Sequence, residues 1–384
     1  MENFVFQNPT RILFGRGQIA ALKGEVPKGA KVMLLAGGGS IKANGVYDQV
    51  RAALADFQVV EFWGIEPNPA YETLVKAIAL AKAEQVEFLL AVGGGSVLDG
   101  TKFVSLGVFH EGDPWDLLAK QRRPRAALPI GCVMTLPATG SEMNNFAVIS
   151  RTETQEKLAF GHPLVFPKFS ILDPETTFSL PPRQVANGIV DAFVHVVEQY
   201  LTFPAQAPLQ DRYAEGLLRT LVEVGPRTLA EPTDYDARAS FVWCATQALN
   251  GLIACGVPQD WCTHTIGHEL TAFHGLDHAQ SLAVVLPNLL WVQRDSKREK
   301  LLQFAERVWD VQTGSEATRL EAGIVRTRAF FESLGVPTRL EAHGVGSEHF
   351  EEIVARFERR GLLPMGERRT LDAARVREIL TLCR

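Results

Sequence analysis

The chain has 384 residues, 46% hydrophobic and 22% charged, with 39 basic against 44 acidic side chains and a net charge of -5. This is the balance of a globular protein of roughly two domains. It excludes a mostly disordered chain, and without positive excess it excludes a nucleic-acid backbone as the expected partner. Five cysteines with no CxxC pair read as free thiols of a reducing compartment. No apolar run reaches the roughly 18 residues of a membrane span, and the first residues lack a signal-peptide pattern. A cytoplasmic protein with no membrane contact is expected.

Short apolar runs alternate with helical patterns through the first half. Strands are expected at 31–36, 59–62, 86–92 and 132–136, and helices at 46–54, 72–83 and 97–106. A hairpin is expected from 145–150 and 157–160 around RTETQE, then a strand at 169–172 that stops at Asp173-Pro174. Strand, glycine turn and helix repeated in this way predict a parallel sheet covered on both faces. After Leu180-Pro181-Pro182 the pattern changes to helices at 183–201, 209–224, 237–252, 261–273, 301–309, 316–334, 347–357 and 373–382. The reading is an α/β domain over 1–180 and an all-helical domain over 181–384.

Two strands end in the same turn, Gly37-Gly38-Gly39-Ser40 and Gly93-Gly94-Gly95-Ser96. Consecutive glycines let backbone approach a ligand closely, and a following helix points unpaired N–H groups at an anion. Neither turn matches GxGxxG well, and neither is a P-loop; each is also compatible with a plain tight turn. Thr135-Leu136-Pro137-Ala138-Thr139-Gly140-Ser141-Glu142 follows another strand and is rich in hydroxyls. Such a segment suits a phosphate or ribose, or equally a helix cap at Thr139 or Ser141.

Four of the nine histidines, His264, His268, His274 and His278, fall within a short stretch. Asp191 and His195 stand four apart in an apolar helical run and share one face. A buried carboxylate is costly unless paired or bound to a cation, and this pair makes an N/O chelate suited to Zn or Fe(II). The alternative is a plain Asp–His hydrogen bond. His264 and His278 could supply the rest of the set, one before and one after the bend at Phe273-His274-Gly275; His268 would then lie one turn from His264, near substrate or a proton path. Spacing alone does not choose this set over one containing His268 or His274. HExxH is absent, and Cys262 reads as packing.

Taken together, Arg11–Gly17, Gly93–Ser96 with Asp99, the segment from Thr135, Asp173-Pro174, Asn187–His195, His264–Leu270 and Gly275–Ala279 resemble the iron-containing (group III) alcohol dehydrogenases. Within them the branch of NADPH-dependent aldehyde reductases and butanol dehydrogenases is the most similar. The resemblance implies a dehydroquinate synthase-like architecture: a dinucleotide-binding α/β domain, a helical metal-binding domain and a cleft between them. It implies a divalent metal, Fe(II) or Zn(II), on Asp191, His195, His264 and His278, with His268 beside substrate and nicotinamide. The pyrophosphate would lie over Gly94-Gly95-Ser96, Asp99 near the nicotinamide amide, and Thr135 and Thr139 along the cofactor. NAD-preferring relatives tend to carry an aspartate in the first turn. Gly37-Gly38-Gly39-Ser40 has none, and Lys42 follows, so NADP(H) is expected, with Lys157 matching a further basic residue of that pocket. The implied reaction is reversible reduction of a small aldehyde to a primary alcohol, and the resemblance implies a homodimer, the common state in this branch; a glycerol-type NAD-dependent dehydrogenase and a non-enzymatic, metal-stabilised nucleotide-binding protein are the alternatives.

Overall fold

The computed structural model describes residues 1–384. Two compact units are present: an α/β unit of Gln7–Pro181 with Pro232–Thr246, and a helical unit of Met1–Phe6, Pro182–Glu231 and Gln247–Arg384.

The α/β unit is built on six parallel strands: β1 (Arg11–Phe14), β2 (Val32–Ala36), β3 (Val59–Phe62), β4 (Phe88–Gly94), β5 (Ile130–Leu136) and β8 (Phe169–Leu172). Their order is β1-β8-β5-β4-β2-β3, and β6 (Phe146–Arg151) with β7 (Glu156–Gly161) forms a separate antiparallel hairpin. Alternate side chains of β2 divide between two cores: Met33 and Leu35 join one, Val32, Leu34 and Ala36 the other. A strand whose two faces are both buried reads as an unbroken apolar run, which is what VMLLA is.

β2 continues to β3 on one side, whereas β4 continues to β5 on the other. β2 and β4 are neighbours, paired through Ala36 and Val92 at their carboxyl ends. Adjacent strands leaving in opposite directions open a crevice at those ends, the usual ligand position in such sheets. Both glycine turns sit there.

The contiguous division at 180/181 differs from the observed one. Residues 232–246 pack with the α/β unit: Trp243 meets Phe14 at 5.8 Å, the Arg16 guanidinium covers the Tyr235 ring, and Thr246 donates to Glu142 at 2.5 Å. Strand β1 and the helix His278–Val292 were not anticipated. The first is four residues on a sheet edge. The second is apolar nearly all round, with Pro287 inside it, so it carries no amphipathic period.

Candidate metal centre and dinucleotide turns

The second glycine turn runs directly into the helix Gly95–Gly107, whose cap Gly94 brings no side chain to its N-terminus and whose first turn has no acid. Its leading amides are therefore oriented for an anion. A Cβ on Gly95 would lie 2.5 Å from Thr139 Oγ1, so glycine is required for Thr139 to approach the turn. Thr139 Oγ1 accepts from Ser141 N at 3.2 Å, a local turn in place of a helix cap. The first turn leads into a short helix, Ser40–Ala43, before Val46–Ala53. Lys42 is exposed, and its Nζ lies 4.0 Å from the Trp63 ring centroid.

Asp99 faces the Thr135–Glu142 segment. Its Oδ1 accepts from Ser141 Oγ at 2.7 Å and its Oδ2 from Val148 N at 2.9 Å. Burial pushes its carboxyl above the ordinary range, against the pull of Lys102. Lys157 Nζ donates to Asn68 Oδ1 at 2.8 Å, and Asn68 N donates to Ser96 Oγ at 3.2 Å, which ties the β6–β7 hairpin to the second turn. Lys102 escaped the sequence reading. It is fully buried and donates to Ser141 Oγ (2.7 Å), Asn144 Oδ1 (3.0 Å) and Phe146 O (2.7 Å). A lysine three residues after Asp99, in a helix with no other charged residue, was the available signal.

The second constellation lies wholly in the helical unit. The helix Pro182–Tyr200 carries Asp191 and His195, and Cys262–His274 carries His264 and His268. Gly275, at φ 68°, ends the latter in a left-handed cap, so His278 opens the next helix. Asp277 secures that start: it forms a capping box with Gln280, and its Oδ2 accepts from Asn187 Nδ2 at 2.9 Å.

The Nε2 atoms of His195, His264 and His278 stand 3.6, 3.9 and 3.6 Å from one oxygen, Asp191 Oδ1. These are too long for hydrogen bonds, and Asp191 Oδ1 is buried with no hydrogen-bond partner. Tetrahedral ligands about 2.0–2.1 Å from one cation lie about 3.3–3.4 Å from each other, close to the spacing here. Donor atoms of Asp191, His195 and His264, all buried, lie within 4.8 Å of one another. Three imidazoles and one carboxylate suit Fe(II) or Zn(II). A plain Asp191–His195 hydrogen bond is not formed.

His268 flanks this group, its ring centroid 5.3 Å from that of His278 and 5.9 Å from that of His264. His274 lies apart from it, packed at 4.9 Å against His349. Trp261 presents an edge to both His195 and His264, walling the centre with aromatic surface. Glu198, another residue not singled out from sequence, contacts His264 Nδ1 and accepts from His264 N at 3.1 Å. Asp191, His195 and Glu198 follow a helical i, i+4, i+7 spacing, which was the legible cue.

Residues 9–174 match the family model for iron-containing alcohol dehydrogenase, and residues 185–381 match the C-terminal model of the Fe-containing alcohol dehydrogenase family. The chain is 56% identical over 380 residues, 98% of each chain, to the NADPH-dependent aldehyde reductase YqhD of Escherichia coli. It is 44% identical over 359 residues, 92% of each, to a probable NADH-dependent butanol dehydrogenase of Bacillus subtilis. Among solved structures it resembles that of Escherichia coli YqhD, with a TM-score of 0.98 at 54% identity over 100% of this chain and 99% of that one. The NADH-dependent butanol dehydrogenase A of Thermotoga maritima superposes with a TM-score of 0.95 at 38% identity, again over 100% and 99%. By its matched residues and its relatives, the chain belongs to the iron-containing alcohol dehydrogenase family.

Proposed function

We propose that this protein reversibly reduces aldehydes to primary alcohols with NADPH and a divalent cation. The observation that carries the reading is Asp191 Oδ1, buried and without a hydrogen-bond partner, with three imidazole Nε2 atoms at 3.6–3.9 Å. Asp191, His195, His264 and His278 would hold the cation, Fe(II) or Zn(II). Bound there, the cation supplies Lewis acidity to a carbonyl oxygen, and the dinucleotide supplies hydride.

The remaining steps belong to the protein. His268, one helical turn from His264, would relay a proton to the carbonyl-derived oxygen as hydride adds to the carbon, giving its ring N–H proton and taking one from solvent at the other ring nitrogen. The amides of Gly93, Gly94, Gly95 and Ser96 would hold the pyrophosphate, with Thr135 and Thr139 alongside. Asp99, fixed by Ser141 and Val148, would accept from the carboxamide N–H and so orient the nicotinamide. Gly37, Gly38 and Gly39 leave room for the adenosine end, Ser40 would donate to a 2′-phosphate, and Lys157 would add positive charge nearby. NADPH is favoured over NADH because no carboxylate stands in the first turn to repel that phosphate. The 56% identical Escherichia coli relative is described as NADPH-dependent.

A cytoplasmic homodimer completes the proposal. All five cysteines are free, which suits a reducing compartment, and no helix is long and apolar enough to cross a membrane. Phe4, Val5 and Phe6 are exposed, apolar surface of the kind a second subunit covers.

The test is the protein loaded with Fe(II) or Zn(II), assayed with butyraldehyde against NADPH and NADH, and with glycerol and NAD in reverse. Loss of NADPH absorbance that depends on metal is expected. Turnover with glycerol and NAD alone would move the protein to the polyol dehydrogenases, and no turnover with any pair would reject an oxidoreductase. Gly39→Asp should shift preference toward NADH. Gly39 has φ 101°, so its thermal midpoint must be measured beside the kinetics to separate charge from backbone strain.

A further inference from the structure

We infer that Glu198 is a positioning residue that fixes the His264 imidazole as the Nδ1–H tautomer and thereby presents the Nε2 lone pair to the cation. The inference rests on the metal-binding reading proposed above.

The geometry is specific. Glu198 is 4% exposed on the helix Pro182–Tyr200, two turns beyond Asp191. Its Oε1 accepts the His264 backbone N–H at 3.1 Å, and its Oε2 is against His264 Nδ1. One carboxylate therefore grips His264 twice, at backbone and ring. The opposite ring nitrogen, Nε2, lies 3.9 Å from Asp191 Oδ1, on the candidate metal side. A neutral imidazole has one N–H and one lone pair; the nitrogen that donates to Glu198 leaves the other as ligand. The parallel His195 ring, 4.7 Å away at 17°, and the Trp261 edge bound the plane in which the His264 ring sits. A carboxylate–histidine–metal arrangement of this kind raises ligand basicity as well as setting direction.

Glutamine is the informative substitution because it keeps the shape and loses one acceptor. Both Glu198 oxygens face donors. In Glu198→Gln only one oxygen remains, and the amide NH2 must face either the His264 N–H or Nδ1. Facing Nδ1, it favours the Nε2–H tautomer, which has no lone pair for the cation.

The experiment is chelator competition for Zn(II) on wild type and Glu198→Gln, with circular dichroism and thermal midpoints of the metal-free proteins. Zn(II) affinity is expected to fall by about 10–100-fold while the metal-free midpoint changes little. Co(II) substitution should show an altered visible spectrum in the variant. Equal Zn(II) affinity in a folded variant, with wild type binding normally, overturns this inference and leaves the metal reading intact. Wild type without Zn(II) binding overturns both. If the variant does not fold, nitrogen chemical shifts of metal-free wild-type histidines decide, with the His264 signal assigned by its loss in His264→Asn. The Nδ1–H form supports the inference; the Nε2–H form overturns it.

Discussion

Burying the Lys102 ammonium in the helix Gly95–Gly107 is unfavourable unless its protons find acceptors, and Ser141, Asn144 and Phe146 supply them. Burial still lowers its pKa from 10.5 to about 8, with Asp99 the main opposing influence. The native protein then releases this proton at lower pH than the unfolded chain does. Between pH 8 and 10.5 the unfolded state binds more protons, so this group makes stability rise with pH across that window. Lys102→Met leaves three acceptors without their donor and should cost about 2–4 kcal/mol at pH 7. Urea titrations of both proteins from pH 7 to 10 should show wild type gaining on the variant; a constant difference would contradict the assignment. Asp191 poses the converse problem, an oxygen whose neighbours stand too far away to donate to it. Asp191→Asn should lose metal retention and activity together, read by elemental analysis and NADPH oxidation on one sample. Full metal occupancy with unchanged activity would remove Asp191 from the ligand set.

Helix ends decide how the histidines converge. Gly275 stops one helix and Asp277 starts the next, which brings His278 toward Asp191 although 264 and 278 do not share a helical face. Asp277→Ala removes the cap and the Asn187 contact. It should cost about 1–2 kcal/mol of stability and weaken Zn(II) binding beyond what the lower midpoint accounts for, checked by thermal melts and chelator competition. This join also shows what the sequence could and could not disclose. Asp191 with His195 was legible as a candidate chelate because the two follow one helical period, and the paired GGGS turns because glycine after an apolar run has few uses. The choice among His264, His268, His274 and His278 was not legible, since it depends on the bend at Gly275 and on which helix each residue faces. Lys102 and Glu198 carried a positional cue, but what each does depends on partners at 141–146 and 264 that are distant in sequence. The helix Tyr235–Ala248 was visible as a helix, but its packing with the α/β unit depends on Phe14, Arg16 and Glu142.

With the two candidate sites built on separate units, their ligands should stabilise separate parts of the protein. Binding to the native form at 100 times Kd contributes about 2.7 kcal/mol. Calorimetry should show Zn(II) raising the melting of the helical unit and NADPH that of the α/β unit; hydrogen exchange locates each effect. Protection by NADPH confined to the helical unit would contradict the assignment of the glycine turns. The candidate metal donors are also far apart along the chain, with Asp191 and His195 before the exposed join at 231–233 and His264 and His278 after it. A shared ion would thus act as a reversible crosslink, closing a long loop much as a disulfide does. A protease cut at that join would leave two fragments clasped through the cation, and a strong chelator would loosen them.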